Sequence, residues 1–439
     1  MKLSMLAGSL LAALAYCRPE AAAGDSPTLQ LSTDSSFSFQ LLNALSQALT
    51  GGSDITPVLG AAKNIKAGDM ASYSEQFYRL ANHTKAQAEI PHNARDPANV
   101  RDTWFSAATY FRQADFYLHG NWSDPLINSL WAEQTAAFNH ALAALPIPGK
   151  RVRIPAAKEN NNNNNFTIEA IWYAAASPPR EQPHKRRPTL IIGNGYDAAQ
   201  EESYHTLVVA ALAQGWNCIT YEGPGQPTVR RHQNLGFIPA WEHVVTPVVD
   251  YILAEKAPLV DPDRLVLVGI SFGGYLAARA AAFEPRLSAA VLIDGVWDTY
   301  AAFSGQLPPP IRAVYEAGNY SDFDGEVLSL RAAGKFPTNA AWGLDQGLWS
   351  FHTHSPSDFL NKCQQYRLKD VVRKIRVPVF VGDAEYDTFF PGQPKKVKDA
   401  LGDKATLHKF TATAGYHSQI GAGQELARTL FAWLNKTLG

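Results

Sequence analysis

Ser271 is the residue whose surroundings point most directly to chemistry, because it lies between two glycines in Gly269-Ile270-Ser271-Phe272-Gly273. The apolar run at 264–268 predicts a buried strand, and residues 274–283 predict a helix. A strand that leads at once into a helix must turn sharply, and glycine on both sides of the serine leaves room for that turn. We therefore predict that the Ser271 hydroxyl projects from a strand end as a nucleophile. The alternative is an ordinary glycine-rich turn.

A nucleophilic serine needs a base, and His417 has the position that a base requires. It follows the predicted last strand, 405–410, and precedes a predicted terminal helix at 423–438. The chain holds twelve histidines, most of which are expected to be structural or exposed, including His408 within the strand. We predict that His417 is the general base.

An acid is expected after the preceding strand, at 377–381, and three carboxyl groups follow it. Asp387 is preferred because it lies four residues before Pro391, a spacing found in many α/β-hydrolases. Asp383 and Glu385 remain alternatives.

These residue types together predict hydrolysis through an acyl-enzyme. A serine hydroxyl is a weak nucleophile at neutral pH, so His417 would take its proton during attack and return it to the leaving group. Asp387 would hold the other ring nitrogen and stabilise the imidazolium. The backbone N–H groups of Phe272 and Tyr196 would bind the developing oxyanion, with Gly195 as the alternative to Tyr196.

Alternating strands and helices predict the fold that must position these groups. Eight strands indicate an α/β fold with a mostly parallel sheet covered on both faces. We expect a signal peptide at 1–23, a helical N-terminal domain at 24–148 and a core at 149–439, with a helical cap inserted at about 297–371. An asparagine tract, 160–165, is predicted to lie in the loop between the first two strands.

Three residues are candidates for the substrate pocket: Trp104 in the helical region, and Trp297 and Asp298 just past the sixth strand. Structural roles are the alternative for all three. Arg112 and Asp115 lie three residues apart on the helix that carries Trp104, and we expect them to form a surface ion pair.

The N-terminus and the sequons predict entry into the secretory pathway and secretion. Lys2 precedes an apolar stretch, 3–15, that is typical of a signal peptide. Five sequons predict N-glycosylation, at Asn82, Asn121, Asn165, Asn319 and Asn435. Cys218 and Cys363 are expected to be free thiols.

Charge and composition favour a small-molecule substrate. The net charge of −1 provides no electrostatic basis for binding nucleic acid or an anionic membrane. His352-Thr353-His354 lacks a set of carboxylate or cysteine partners, so we expect no metal, and no motif calls for a cofactor. A homodimer is possible, because helical appendages often support dimers in such enzymes.

Several motifs beyond the serine resemble one group of α/β-hydrolases. They are Gly195-Tyr196-Asp197 with Glu201-Glu202, Tyr221-Glu222-Gly223-Pro224-Gly225-Gln226, Trp241-Glu242-His243-Val244-Val245 and Gly269-Ile270-Ser271-Phe272-Gly273-Gly274-Tyr275. The group comprises fungal hydrolases that shorten polyketides in melanin and related pathways, with the bacterial relative dihydropseudooxynicotine hydrolase. The resemblance covers most of the chain.

This resemblance implies hydrolysis of a carbon–carbon bond beside a ketone, in a polyketide or another 1,3-dicarbonyl metabolite. Ser271 would attack the carbonyl, a stabilised carbanion would leave, and water would release the acyl group. A secreted carboxylic-ester hydrolase or peptidase-like hydrolase with the same triad is the alternative.

Overall fold

A computed structural model describes residues 27–156, 165–176 and 186–439. The predicted signal peptide at 1–23 and most of the asparagine tract lie outside these ranges.

The core is one eight-stranded sheet with the strand order β1-β2-β4-β3-β5-β6-β7-β8. β2 pairs antiparallel with both of its neighbours, and every other pairing is parallel. The strands are β1 Lys150–Pro155, β2 Thr167–Tyr173, β3 Arg187–Gly193, β4 Asn217–Glu222, β5 Val260–Ile270, β6 Ala289–Ile293, β7 Val379–Ala384 and β8 Ala405–Phe410. The predicted mostly parallel sheet of eight strands is confirmed.

Helices cover both faces of the sheet, as the continuous apolar runs in the central strands require. The helices that follow core strands are α6 Val209–Ala213, α7 Pro227–Gln233, α8 Glu242–Glu255, α9 Gly273–Ala281, α15 Gln393–Leu401 and α16 Gly423–Leu438. Parallel strands deliver their carboxyl ends to one edge, so the loops after β3, β5, β6, β7 and β8 meet there.

From residue 27 onward, where the structure describes the chain, five α-helices precede the sheet: α1 Ser35–Ser46, α2 Ile55–Ala62, α3 Met70–Ala88, α4 Pro97–Asp115 and α5 Leu126–Ala143. Asp96 begins α4 by accepting hydrogen bonds from the N–H groups of Ala98 and Asn99, and Pro97 occupies the first turn. From Trp104 to Asp115 every residue of α4 is buried, since the helix packs against α3 and α5 and also contacts the core. A helix buried on all sides lies inside the protein, not on its surface.

The predicted surface ion pair on α4 is therefore wrong in its location. The side chains of Arg112 and Asp115 are 3% and 1% exposed, and their charged atoms lie 3.5 Å apart. Three-residue spacing identified the pair, but it carries no information on which helix face is covered.

Five helices lie between β6 and β7, in the segment predicted to form a cap: α10 Thr299–Ser304, α11 Pro309–Glu316, α12 Tyr320–Ala332, α13 Thr338–Ser350 and α14 Pro356–Cys363. Their aromatic side chains pack against one another, as with Phe303 on Phe359 at 5.0 Å between ring centroids. Trp342 stacks at 5.0 Å on Phe116, which ties α13 to the N-terminal helices.

Surface and cysteine features bear on the predicted route of the protein. The five sequon asparagines are all exposed, although Asn82 and Asn435 lie within helices. Cys218 and Cys363 are buried free thiols, as expected. Within the described ranges, no helix has the length and apolar character needed to cross a membrane.

Candidate active site

The turn at Ser271 holds its backbone in a conformation that side chains rarely adopt. Ser271 has a φ of 61° between the end of β5 and the start of α9. A Cβ placed on Gly269 would lie 1.9 Å from the carbonyl oxygen of Gly273, so only glycine permits this close approach. The Ser271 N–H donates to the carbonyl of Ile293 at 2.9 Å, which fixes the turn against the end of β6. The strained geometry presents the hydroxyl to the loops at the sheet edge.

His417 lies next to this hydroxyl. Its Nε2 is 2.9 Å from the Oγ of Ser271, in a short turn after β8. Its Nδ1 is 3.2 Å from Oδ2 of Asp387. The alternative acids are placed differently: Glu385 accepts a hydrogen bond from the Ala412 N–H, and within the described residues no contact joins Asp383 to His417. The structure thus brings the predicted serine, histidine and preferred acid together.

A second carboxylate, Asp294, also approaches the histidine and was missed from the sequence. Its Oδ2 is 3.1 Å from Nδ1 of His417 and accepts from the N–H and hydroxyl of Ser418, both at 2.9 Å. Asp294 follows β6 directly and has a φ of 65°. An acid between a buried strand and Gly295 was the available signal, but the usual chain order of such sites places the acid after β7.

The two carboxylates differ in how well their charge is stabilised. Asp387 accepts hydrogen bonds through Oδ1 from the N–H groups of Phe389 and Phe390, and these bonds together with His417 outweigh burial and lower its pKa. Burial is the largest effect on Asp294 and raises its pKa to about 6; Asp387 adds to this rise, whereas His417 and the bonds from Ser418 oppose it. We assign the permanent negative charge to Asp387 and the more easily protonated position to Asp294.

His417 responds to both acids. Burial alone would lower its pKa, but the charges of Asp294 and Asp387 outweigh burial and raise the pKa to about 9. The three groups also place oxygen and nitrogen atoms within 4.8 Å of one another, a spacing that a cation could use. The Nδ1 to carboxylate oxygen distances are 3.1 and 3.2 Å, which is the range of ion pairs.

Two backbone N–H groups are available as oxyanion donors. Within the described residues, neither the Phe272 N–H nor the Tyr196 N–H has a hydrogen-bond acceptor. A Cβ on Gly195 would lie 2.6 Å from the Phe272 nitrogen, so glycine lets the loop after β3 approach the serine turn closely. Gly195 therefore has a packing role beside the predicted donors.

A cavity of about 220 Å³ opens at Ser271 and His417. Its walls come from α1, the cap and the loop after β7; they are mainly apolar and include the aromatic side chains of Phe39, Phe303, Phe336, Trp342, Phe359 and Phe389. The ring of Phe389 is 4.7 Å from the His417 ring. The site suits an apolar substrate that reaches the serine through a largely hydrophobic passage.

The three pocket residues suggested by the sequence lie outside this cavity lining. Trp104 is buried and stacks on His140 at 4.5 Å, which is a packing role within the N-terminal helices. The Trp297 N–H donates to Gln393, and Asp298 caps α10 through the Ala301 N–H. Proximity to a strand end in sequence did not place Trp297 and Asp298 at the serine, because the chain turns toward the start of α15 there.

A buried polar network supports the loop that carries Tyr196. Gln346 of α13 donates from Nε2 to the Tyr196 carbonyl at 3.0 Å and contacts Nδ1 of His119 through Oε1 at 2.6 Å. His119 contacts Arg231, whose guanidinium binds Asp115 at 2.7 Å. Burial lowers the pKa of His119 to about 3, which keeps this ring neutral. The N-terminal helices, the cap and the core therefore meet behind this loop, which we call the oxyanion loop after the predicted donor Tyr196.

The fold and site correspond to a known family. Residues 193–423 match the family model described as the alpha/beta hydrolase family, and the chain belongs to it.

Individual relatives are fungal hydrolases of secondary metabolism, which confirms the resemblance found in the sequence. Hydrolase LUC6 of a Fusarium species is 30% identical over 92% of this chain and 96% of its own. The 20-hydroxy-prefusarin hydrolase FUS2 of Gibberella moniliformis is 28% identical over 91% of this chain and 96% of its own.

A crystal structure shares the fold. It is that of 2,6-dihydroxy-pseudo-oxynicotine hydrolase, with a TM-score of 0.67, 18% identity and coverage of 90% of this chain and 95% of that one. This chain is a hydrolase of secondary metabolism.

Proposed function

We propose that this protein is a serine hydrolase that cleaves a carbon–carbon bond beside a ketone in a polyketide or related secondary metabolite. The contact that carries the proposal is the 2.9 Å approach of His417 Nε2 to the Ser271 hydroxyl at the base of an aromatic cavity. Asp387, on the other ring nitrogen, completes the proposed catalytic triad.

The reaction begins when Ser271 attacks the ketone carbon and His417 takes the hydroxyl proton. Asp387 stabilises the imidazolium that results. The N–H groups of Phe272 and Tyr196 bind the oxyanion of the tetrahedral intermediate. The carbon–carbon bond then breaks, its electron pair leaves as an enolate or phenolate, and His417 supplies the proton. Water activated by His417 finally releases the acyl group from Ser271.

Two observations support a polyketide or related secondary metabolite as the substrate. The mainly apolar cavity walls, which include several aromatic side chains, suit the extended or ring-bearing carbon skeleton of a polyketide better than a small polar ester. Relatives that match nearly the whole chain include one named as a 20-hydroxy-prefusarin hydrolase. A carboxylic-ester hydrolase or peptidase-like hydrolase with the same triad is the competing assignment, since both reactions share an acyl-enzyme.

We also propose that the protein travels the secretory route. Five exposed sequon asparagines support this proposal. Mass spectrometry of the protein from its native host before and after peptide N-glycosidase treatment tests it. An unmodified mass with residues 1–23 still present contradicts it.

Labelling by a fluorophosphonate tests the nucleophile. Native protein should be labelled and Ser271→Ala should not, because the probe reacts with a serine activated by its base. Ser288→Ala is the matched control: this serine is half-buried and bonds the Leu265 carbonyl, away from the cavity. Absence of labelling in folded native protein contradicts the triad.

A paired assay decides the bond that is cleaved. Specificity constants are measured for a series of aryl esters and a series of 1,3-diketones and aromatic polyketide ketones. A higher constant for the ketones supports carbon–carbon cleavage. A preference for simple esters by several orders of magnitude assigns the protein to the ester hydrolases.

A further inference from the structure

Asp197 is an acidic residue of the cavity that the triad mechanism does not use. It directly follows Tyr196 in the loop after β3 and lines the same cavity as Ser271 and His417. Its side chain is 22% exposed, while that of the neighbouring Arg112 is 3% exposed. The carboxyl group is therefore accessible from the cavity, with a buried guanidinium behind it.

The charges around Asp197 do not balance. Two guanidinium groups, those of Arg112 and Arg231, contact three carboxyl groups, those of Asp115, Asp197 and Glu202. Arg112 lies 3.0 Å from Glu202 and 3.5 Å from Asp115, but 4.0 Å from the nearest carboxyl oxygen of Asp197. Its Nη2 instead donates to the backbone carbonyl of Asp197 at 2.9 Å. Asp197 is thus the carboxyl group with the weakest link to a cation.

A carboxyl group in this position can hold a proton near neutral pH. Burial raises the pKa of Asp197 to about 6; Arg112 and His417 oppose the rise, and Glu202 adds to it. These are the charged groups that face Asp197: Arg112 from α4, Glu202 from the segment after β3 and His417 from the loop after β8. A neutral carboxylic acid in an apolar site can donate a hydrogen bond to an oxygen that gains charge.

Cleavage of a 1,3-dicarbonyl creates such an oxygen. The scissile carbonyl oxygen must face the N–H groups of Tyr196 and Phe272. A single carbon separates this carbonyl from the second carbonyl of the substrate. When the carbon–carbon bond breaks, its electron pair moves onto that second oxygen as an enolate. Asp197 lines the same cavity as Ser271 and the proposed oxyanion donors, so its carboxyl group is a candidate partner for this second oxygen.

We propose that Asp197 is a catalytic acid that protonates the enolate oxygen of the leaving group, which fits the site to carbon–carbon cleavage rather than ester hydrolysis. The inference rests on the proposed function. The proton of Ser271 passes to His417 during attack, and the proton of Asp197 passes to the enolate oxygen as the bond breaks. The enol then takes the His417 proton at carbon and returns its hydroxyl proton to Asp197. The products are a ketone and the acyl-enzyme, and both residues regain their starting states.

The test compares diketone and aryl ester specificity constants within each variant. Asp197→Ala should lower the diketone-to-ester ratio by roughly a hundredfold, in the range of general-acid contributions, and the loss should lie in kcat rather than KM. Asp197→Asn should give an intermediate ratio, because its amide donates a hydrogen bond but has no proton to transfer. Glu202→Gln is the matched control. Oε2 of Glu202 accepts hydrogen bonds from Arg112 Nε and from the Ala199 N–H, so this variant also removes a carboxylate from Arg112. Its ratio should fall far less.

The pH profile provides a second readout. Native diketone cleavage should follow a bell with limbs near pH 6 and pH 9, because it needs neutral His417, whose pKa is about 9, and protonated Asp197, whose pKa is about 6. Ester hydrolysis should show only the rising limb of His417, and the falling limb for the diketone should disappear in Asp197→Asn.

Two results overturn the inference while the proposed function stands. One is an unchanged diketone-to-ester ratio in Asp197→Ala. The other is an equal loss of activity on both substrates, which indicates a structural role of Asp197 in the oxyanion loop. Native protein that hydrolyses esters but no diketone refutes the proposed carbon–carbon activity, and this inference with it. That failure is seen in the native protein alone, so the two failures are distinguishable.

Discussion

Asp294 and Asp387 both contact His417, and we expect the substitutions Asp294→Asn and Asp387→Asn to change activity near neutral pH in opposite directions. Asp294→Asn removes a charge 3.1 Å from Nδ1 but leaves the better stabilised Asp387 in place. His417 must be neutral to act as a base, and the two acids raise its pKa to about 9, so activity in the native protein is lost as pH falls below that value. Loss of the Asp294 charge lowers the pKa and moves this acid limb to lower pH.

The size of the shift follows from the contact distance. An opposite charge within about 4–6 Å moves a pKa by roughly 1–3 units, and Asp294, whose own pKa is raised to about 6, is charged only above that pH. We expect the acid limb of kcat/KM for an aryl ester to move down by about 1–2 pH units. Near neutral pH the variant should therefore be faster than the native protein, because more of its His417 is neutral.

Asp387→Asn should behave differently. Loss of the only acid in a serine triad lowers kcat on the order of 10⁴-fold, but here Asp294 remains on Nδ1. We expect a loss of roughly 10- to 100-fold for Asp387→Asn and the full loss only for the double variant, since residues that act as a unit are not additive. The assay is kcat/KM against pH for all three variants. An unmoved acid limb in Asp294→Asn, or an Asp387→Asn variant as slow as the double variant, refutes this reasoning.

Three further predictions concern packing and support. Gly269→Ala places a Cβ 1.9 Å from the Gly273 carbonyl oxygen and should destabilise the fold by more than about 4 kcal/mol in chemical denaturation. Asp115→Ala leaves buried guanidinium charge unpaired and should cost about 3–5 kcal/mol in the same assay; adding Arg231→Met should recover part of that loss, and no recovery argues against a buried ion pair. Gln346→Ala removes a hydrogen bond to the oxyanion loop worth about 1 kcal/mol and should lower ester kcat about fivefold with KM unchanged; a change in KM alone excludes this positioning role.

The sequence was sufficient to predict that Ser271 and His417 lie together, because the position of each depends on local order. A serine between glycines after an apolar strand, and a histidine after the last strand, have fixed places at the edge of a parallel sheet. The position of Asp387 followed from the same rule. The sheet itself was predictable from continuous apolar runs, which leave few other arrangements.

The remaining groups depend on contacts between distant segments. Asp294, at the end of β6, contacts His417, after β8, although β7 lies between these strands in the sheet, and the spacing of residues does not encode this arrangement. Arg112 lies 85 residues before Asp197, and their contact follows from how α4 packs on the core. For the same reason, Trp104, Trp297 and Asp298 could not be excluded from the cavity before the fold was known.

Phe39 shows a consequence of the way the cavity is walled. This residue of α1 lines the cavity, and its ring is 6.5 Å from that of His417, which is near the other end of the chain. Helix α1 therefore leaves the ribosome well before the segment that carries His417, and the part of the cavity that they share forms only after both have been synthesised. Once it is in place, its cavity-facing side chains, Phe39, Gln40 and Asn43, lie on a segment that carries no triad residue. Substrate preference can thus be varied on α1, by evolution or by engineering, without altering the segments that hold Ser271, Asp387 and His417.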